Sequence, residues 1–588
     1  MRDNSSTPKY VYLGVITVTS ILLGVLFLFF YYPIRNINVG LTIIICALLA
    51  FCIWKMVQYM YLWFELTLIK KIISICFLSL FSILILLSSK GEQIHLQDNH
   101  LFIVILSFFG AFISVFTICT AITLSFLRIH GVKGEKQLSK SKIMIYALPS
   151  ILVWITYWIA FFPAGMTPDS LAQWDQAHTG QLDNWHPVVY TLLIMFLTQI
   201  WDNPAIVSLF QIVIIAGIIG YTCYRLEKFN FPKWSTWTLA VFFAISPVNS
   251  IYSITIWKDV LYSAFLLLFI VLVFNIVKTK GLWIKSKSHF FFFIITSLSL
   301  IFFRHNGFPV FIVTMILILV FYWNVKKQVI IGLTSVAIIY LLVTGPVFNI
   351  LGVKPSDPNE ALSIPTQQLA TIIIEDGNIS ESQEEYLNEI FPIELWKERF
   401  NPYNTNPIKF SWGEYNREVI FDDTKKYFST WLELCIQNPK LALKGFFTHT
   451  SLVWQIHQPK EPGYTDTFVT NVYYGNKQGL ENTIINEKIT LAANKYLTVT
   501  KEMFGSIIWR PANYAFMILL LTFIGYLRND FRIWFVSLPL LLNTAAVMAA
   551  LPAQDFRYLY SNTLVVYIAI FLAFTTYSNK RLENEKIS

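Results

Sequence analysis

Apolar runs long enough to cross a lipid bilayer recur along the whole chain and limit what it can fold into. The hydrocarbon core of a bilayer is about 30 Å thick, so a spanning helix needs about 20 mostly apolar residues. Of the 588 residues, 55% are hydrophobic and only 13% are charged, and the mean hydropathy is +0.56. A soluble protein of this length could not bury so much apolar surface. The sequence therefore predicts an all-α membrane protein that crosses the bilayer many times.

Fourteen of these runs predict membrane spans. The first run lacks the small-residue cleavage site of a signal peptide, so we expect it to be retained as a span. The predicted spans are residues 11–31, 39–57, 72–89, 101–127, 143–162, 205–224, 234–249, 259–277, 289–303, 308–323, 329–349, 512–527, 534–550 and 558–577. One further run, 187–201, is shorter and begins directly after His186-Pro187.

The positive-inside rule, by which Lys and Arg concentrate in cytoplasmic loops, indicates how run 187–201 lies. The loop 128–142 is strongly basic and is therefore assigned to the cytoplasm. If 187–201 crossed the membrane, the basic loop 225–233 and every later basic loop would face outward. If it lies along the outer surface instead, both termini and all basic loops face the cytoplasm. We therefore predict a juxtamembrane helix at 187–201.

This topology divides the chain into four regions. The polar stretch between spans eleven and twelve contains amphipathic segments at helical spacing, such as 425–435 and 439–454, and predicts a mainly helical extracytoplasmic domain. In chain order, the regions are an N-terminal four-span accessory bundle (1–142), a transmembrane core with an outer loop at 163–186 (143–349), the extracytoplasmic domain (350–511) and a C-terminal three-span bundle (512–588).

The predicted outer face holds most of the side chains that could carry chemistry. Asp169 lies about six residues beyond a predicted span, in the outer loop. A carboxylate there could take the proton of an attacking hydroxyl, and nearby cations could hold a phosphate as it leaves. The remaining candidates on this face, for binding or orienting a substrate, are Asp175, His186, Lys258, Asp259, Arg304, His305, Arg557 and Tyr558.

Several of these side chains also have a structural explanation. Asp169 precedes Ser170 in a segment that resembles a helix start, where Asp is a common cap. Lys258 could pair with the adjacent Asp259 or extend to lipid headgroups. Arg304 could hold a lipid phosphate. The structural and the functional interpretation of a residue are compatible with each other.

Metal and nucleic-acid binding are less well matched by the sequence. Asp169, Asp175 and Asp259 could hold a divalent cation through oxygen ligands, but their spacing is not typical of a metal site. The six cysteines show no spacing typical of zinc sites, and we read them as small apolar residues. The net charge of +9 is typical of cytoplasmic loops in membrane proteins rather than of a nucleic-acid-binding surface.

Five short motifs lie at the predicted outer face: Pro168-Asp169-Ser170, Trp185-His186-Pro187, Trp257-Lys258-Asp259, Arg304-His305-Asn306-Gly307 and Asp555-Phe556-Arg557-Tyr558. Together they resemble the GT-C superfamily of membrane glycosyltransferases and, more narrowly, an uncharacterised bacterial family of GT-C-like proteins, over roughly 143–588. The resemblance implies a sugar donor on polyprenyl phosphate and inversion at the anomeric carbon. It also implies that Asp169 is the catalytic acid/base and that Lys258, Arg304 and Arg557 contact the donor phosphate. Many GT-C enzymes carry an Asp-Glu pair where this chain has Asp169-Ser170.

We therefore expect an enzyme of the bacterial plasma membrane that transfers a sugar to a glycan, polymer or protein at the cell surface. The composition, rich in Lys, Asn, Ile and Phe, is typical of an AT-rich bacterial genome. Three alternatives remain. A flippase or transporter for a lipid-linked glycan would need polar groups deep inside the spans. A ligase or polymerase would move a whole oligosaccharide with the same outer-face chemistry, and a scaffold would catalyse nothing.

Overall fold

The computed structural model describes residues 7–32, 38–89, 101–456 and 468–576. Within these ranges the chain is helical, and pairing between extended segments is limited to isolated bridges. Eleven of the described helices are long and apolar enough to cross a bilayer, or twelve spans if one bent pair is counted as a single span. The chain is therefore an all-α membrane protein with many spans.

The helices follow one another with short connections in the first part of the chain. They are α1 (Thr7–Tyr31), α2 (Val39–Glu65), α3 (Leu68–Ser89), α4 (Leu101–Arg128), α5 (Lys142–Ala160), α6 (Pro168–Thr179), α7 (Val188–Thr198), α8 (Pro204–Lys228), α9 (Lys233–Ile245), α10 (Pro247–Ile254), α11 (Lys258–Lys278), α12 (Lys287–Phe303), α13 (Gly307–Phe321), α14 (Lys326–Leu342) and α15 (Phe348–Ile350). A π-helical turn, Val343–Val347, joins the last two into one long apolar helix.

Shorter helices fill the polar segment, and three long helices follow it. They are α16 (Ser363–Ile374), α17 (Glu381–Ile390), α18 (Ile393–Arg399), α19 (Asn406–Lys409), α20 (Arg417–Asp422), α21 (Thr424–Gln437), α22 (Pro439–His449), α23 (Ser451–Trp454), α24 (Glu487–Ile508), α25 (Pro511–Arg528), α26 (Trp534–Ala550) and α27 (Tyr560–Phe574). The amphipathic segments 425–435 and 439–454 are thus helical, as their spacing predicts.

The fourteen predicted spans coincide with the eleven long helices, the bent pair α9 and α10, and the two shorter apolar helices α12 and α13. The bent pair turns by 56° because Ser246 precedes Pro247, and a residue before proline is disfavoured in helical geometry. Helix α7 has 11 residues. At about 1.5 Å per residue it is about 16 Å long, too short to cross a hydrocarbon core of about 30 Å.

The N-terminal helices pack against the C-terminal ones, although more than 400 residues separate them along the chain. The ring of Phe77 in α3 stacks on Phe523 in α25, with centroids 4.0 Å apart. Phe126 in α4 stacks on Phe574 in α27 at 5.1 Å. The predicted regions 1–142 and 512–588 are therefore adjacent parts of one helical body.

Helix α11 lies in the middle of this body, since nearly all of its residues are buried. A helix that is apolar on every side is typical of such a central position. Its first turn carries Lys258 and Asp259, so two charged side chains lie at the N-terminal end of an almost fully buried helix. This end of α11 faces the polar segment and forms the base of the candidate site.

The polar segment has two parts. Residues of α16 to α22 share a small apolar core of their own, from Leu362 to Ala442. Helix α24 instead packs along the membrane-spanning helices, where Thr490 Oγ1 donates to the Ala160 carbonyl at 2.8 Å and the Tyr496 hydroxyl donates to the Ile245 carbonyl at 2.9 Å. The predicted domain 350–511 is thus partly a separate core and partly an extension of the helical bundle.

Candidate active site

Hydrogen bonds join the start of α6 to the segment that precedes α11. The backbone N–H of Ile256 donates to the Gly165 carbonyl at 2.9 Å. The Trp257 indole donates to Thr167 Oγ1 at 2.9 Å, and the Ser170 hydroxyl donates to the Ile256 carbonyl at 2.6 Å. These bonds hold the first turns of the two helices side by side, although about 90 residues separate them. Asp169 is thereby brought close to Lys258.

Asp169 faces a group of positive and polar side chains. Its Oδ2 lies 2.8 Å from Arg557 NH1, and its Oδ1 lies 3.8 Å from His186 Nε2. Burial alone would raise the pKa of Asp169, but Arg557, His186 and Lys258 together hold it well below its usual range. About a third of the side chain, 33%, stays exposed, so the charged carboxylate is accessible to a substrate.

His186 connects this carboxylate to Lys258. The Lys258 ammonium donates to His186 Nδ1 at 2.8 Å, and the imidazole stacks on Trp185 with ring centroids 5.3 Å apart. Burial and the Lys258 charge lower the pKa of His186 to about 3, so the ring is neutral at pH 7. Because Nδ1 accepts a hydrogen bond, the ring proton lies on Nε2, on the side of Asp169.

A second ion pair lies beside the first. Asp259 is 1% exposed and its Oδ1 lies 3.0 Å from Arg304 NH1. The Arg304 guanidinium also donates to the Tyr558 carbonyl at 3.2 Å and lies over the rings of Tyr558 and Tyr262, at 5.1 and 5.7 Å. Buried carboxylates without a paired cation are strongly destabilising, so Arg304 is needed to keep Asp259 charged.

Arg557 lies between two carboxylates. Besides the contact with Asp169, its Nε lies 2.8 Å from Asp555 Oδ2. The faces of the guanidinium contact the rings of Trp257 and Tyr558, at 5.0 and 5.1 Å. Burial raises the pKa of Asp555 to about 6, despite the opposing effect of Arg557. The two carboxylates therefore differ in basicity, although they share one cation.

Most of the side chains predicted from the sequence meet in this cluster. Asp169, His186, Lys258, Asp259, Arg304, Arg557 and Tyr558 are joined by the contacts described above. His305 lies at the edge, where Nε2 is 3.3 Å from the Asn184 carbonyl, and burial lowers its pKa.

Asp175 does not join the cluster. It is exposed, and it accepts a hydrogen bond from Gln478 Nε2 at 3.4 Å. Six residues along a helix correspond to a rotation of about 240°, so Asp175 lies on another face of α6 than Asp169. The structure therefore does not bring these two carboxylates together.

The carboxylates of the cluster contact cations of the protein itself. Asp169 and Asp259 face Arg557 and Arg304, while Asp175 lies elsewhere. Among the described residues, no group of three or more His, Cys, Asp or Glu side chains is arranged to hold a metal ion. The three-carboxylate cation site considered above does not form, and no reaction step is assigned to a metal.

A cavity of about 510 Å³ opens beside the cluster. Its wall on the bundle side includes Thr167, Trp257 and Asp555, and the opposite wall is the extended segment 468–474. Neither segment 468–474 nor Asp555 was among the site residues predicted from the sequence. The Asp555-Phe556-Arg557-Tyr558 motif could have indicated Asp555, whereas segment 468–474 carries no recognisable pattern.

These observations define an all-α membrane protein with many spans and a buried cluster of charged side chains at one end of its central helix. The chain matches DUF6020, a family of unknown function, over residues 159–588, and it belongs to that family. The matched region contains every residue of the cluster, whereas helices α1 to α4 lie before it. Neither a curated protein nor a solved structure matches the chain.

Proposed function

We propose that this protein is a GT-C-type membrane glycosyltransferase, which moves a sugar from a polyprenyl-phosphate carrier to a hydroxyl group of a cell-surface acceptor. One observation carries the proposal. The accessible carboxylate of Asp169 shares a single cluster with Lys258, Arg304 and Arg557. This combination suits a reaction in which a proton is removed from one substrate while a phosphate leaves the other.

The cations would stabilise the leaving group. During transfer the bond between the anomeric carbon and the phosphate oxygen breaks, and negative charge develops on the lipid phosphate. Fixed cations in a site shielded from water stabilise such charge strongly. Arg557 and Arg304 can each present two N–H groups to phosphate oxygens, and Lys258 adds a compact positive charge.

Asp169 would act on the acceptor. The acceptor oxygen forms the new bond to the anomeric carbon on the face opposite the phosphate, which inverts that centre, and its proton passes to Asp169. A carboxylate with a strongly lowered pKa is a weak base while Arg557 holds it. A donor phosphate bound at Arg557 would weaken this hold and raise the pKa of Asp169 toward the range useful for catalysis.

The membrane placement follows from the charge pattern of the loops. By the positive-inside rule, the basic loops and both termini face the cytoplasm, and the cluster faces the outside of a bacterial plasma membrane. The spanning helices give a polyprenyl donor access from the bilayer. The acceptor would be a glycan, a polymer or a protein of the cell envelope that reaches the cluster from the outer side.

The test compares Asp169→Asn with Asp175→Asn, a control on the same helix outside the cluster. Each protein, in lipid nanodiscs, receives undecaprenyl phosphate sugars labelled with ³²P in the phosphate, together with a hydroxyl-bearing cell-envelope fraction as acceptor, and the release of labelled undecaprenyl phosphate is measured. We expect Asp169→Asn to reduce release at least about 100-fold, because general base catalysis contributes about 10²–10⁴-fold. The control should resemble the unchanged protein.

Unchanged release by a folded Asp169→Asn variant would contradict the proposed role of this carboxylate. Folding is checked by the elution volume and thermal transition of each variant. In sealed proteoliposomes of the same protein, a fluorescent donor that crosses the bilayer without being cleaved would favour the flippase alternative instead.

A further inference from the structure

The cavity beside the cluster contains the features of a site for a second substrate. Its volume of about 510 Å³ is within the range of small-molecule sites, about 300–1,000 Å³. Trp257 lies at its inner side, and Tyr473 and Tyr474 line its outer wall. These tyrosines are 55% and 82% exposed, so most of each ring is accessible to a ligand.

The wall formed by segment 468–474 is fixed to the loop that directly precedes α6, the helix of Asp169. The Met166 N–H donates to the Asn471 carbonyl at 3.1 Å, and the Tyr473 N–H donates to the Met166 carbonyl at 2.9 Å. Asn482 adds a third connection, since its Oδ1 accepts from the Val472 N–H at 2.6 Å and its Nδ2 donates to the Phe162 carbonyl at 3.2 Å. The exposed tyrosines are therefore held at defined positions beside the cluster.

The polar groups of the cavity indicate the kind of ligand. Among the described residues that line it, Asp555 alone carries a charge, and Arg557 offsets that charge, so the described lining presents no unpaired charge to an ionic ligand. Thr167, Thr470 and Asn471 offer hydrogen-bond donors and acceptors at the same surface. Aromatic rings combined with a carboxylate and small polar side chains match the alternating apolar faces and hydroxyl groups of sugars.

We propose that this cavity binds a neutral carbohydrate chain as the acceptor, with sugar rings against Tyr473 and Tyr474 and a hydroxyl group held by Asp555. The inference rests on the proposed function, because an acceptor site has meaning only next to a transferase centre. Asp555 contacts the same guanidinium, that of Arg557, as Asp169 does. Only the Arg557 guanidinium would thus separate a hydroxyl group bound at Asp555 from Asp169, the proposed base.

The test measures the binding of uncharged probes to the full-length protein in nanodiscs by saturation-transfer NMR. The probes are maltotriose, mannotriose and chitotriose, together with a capped peptide of Gly, Ser and Thr. Tyr474→Ala removes a ring that is 82% exposed, and Asp555→Asn removes the charge. The matched control is Trp412→Ala, whose ring is 70% exposed and lies outside the cavity lining.

We expect at least one trisaccharide to bind, with Kd about tenfold weaker in Tyr474→Ala and in Asp555→Asn and unchanged in Trp412→Ala, since a tenfold change matches the contribution of one good contact. Binding of the peptide alone, binding of no trisaccharide, or equal Kd values in all variants would overturn the inference. Binding of undecaprenyl phosphate is measured in parallel. If it persists while trisaccharides fail, only the acceptor site is refuted; if it also fails, the proposed function is refuted.

Discussion

Replacing Asp555 with Asn tests whether this buried carboxyl group opposes folding at neutral pH. The residue is only 9% exposed. Its Oδ2 lies 2.8 Å from Arg557 Nε, and its Oδ1 accepts from the Arg557 backbone N–H at 3.1 Å. Asn has almost the same size, and its amide oxygen can keep the backbone hydrogen bond. The substitution therefore removes the titrating group with little change in packing.

The expected magnitude follows from the pKa of Asp555, which burial raises from 3.8 to about 6. Between these two values the folded protein keeps the proton while the unfolded chain has lost it, so the free energy of unfolding falls as pH rises. At about 1.4 kcal/mol per pKa unit, the loss reaches about 3 kcal/mol above pH 6. Asp555→Asn removes this loss.

The assay follows the apparent Tm of the detergent-solubilised protein between pH 4.5 and 8. We expect the Tm of Asp555→Asn to rise relative to the unchanged protein as pH increases to about 6 and then to stay constant. Asp169 does not disturb this window, because its lowered pKa gives stability that is lost only below about pH 4. Asp422→Asn, at an exposed position outside the cluster, is the control, and its Tm profile should run parallel to that of the unchanged protein. Parallel profiles for the unchanged protein and Asp555→Asn would refute the reasoning.

Two further predictions concern the supports of the cluster. A Cβ at Gly165 would lie 2.6 Å from the Val469 carbonyl oxygen, so Gly165→Ala should lower the free energy of unfolding by about 1–3 kcal/mol. The control is Gly217→Ala, which should not lower the Tm because a Cβ there would meet no atom within 4 Å beyond its chain neighbours and the backbone of its own helix. Equal Tm values for both variants would contradict this packing. Lys258→Met should weaken binding of undecaprenyl phosphate at least about tenfold by removing a cation, with Lys327→Met from a predicted cytoplasmic loop as the control. Equal Kd values would remove Lys258 from the proposed phosphate site.

The fold was largely predictable because a membrane span is a local property of the sequence. Length and hydropathy suffice to find an apolar helix, and Ser246-Pro247 marks the break in the bent pair. The sequence could not predict which parts of 350–511 pack on the bundle. That depends on contacts such as the bond from Tyr496 to the Ile245 carbonyl, which join residues about 250 positions apart.

The site was predictable to the extent that its residues lie at helix ends on the same predicted face. Lys258 and Arg304 come at adjacent helix ends, so topology alone brings them near Asp169. Asp175 lies apart from Asp169 because residues 168–179 form a helix, whose rotation places the two side chains on different faces. Segment 468–474 could not be found, because its position depends on backbone pairing with Met166, which leaves no side-chain pattern.

In the proposed reaction, Asp169 and Asp555, the two carboxylates that contact Arg557, have different roles because of the charge balance of the cluster. Three cations face three carboxylates: Lys258, Arg304 and Arg557 against Asp169, Asp259 and Asp555. A donor phosphate adds negative charge, which is offset most easily where a proton can be taken up. With a pKa of about 6, Asp555 accepts a proton at pH 7 for about 1.4 kcal/mol. Arg557 is then freer to bind the phosphate, while Asp169 keeps its charge until the acceptor hydroxyl gives up its proton.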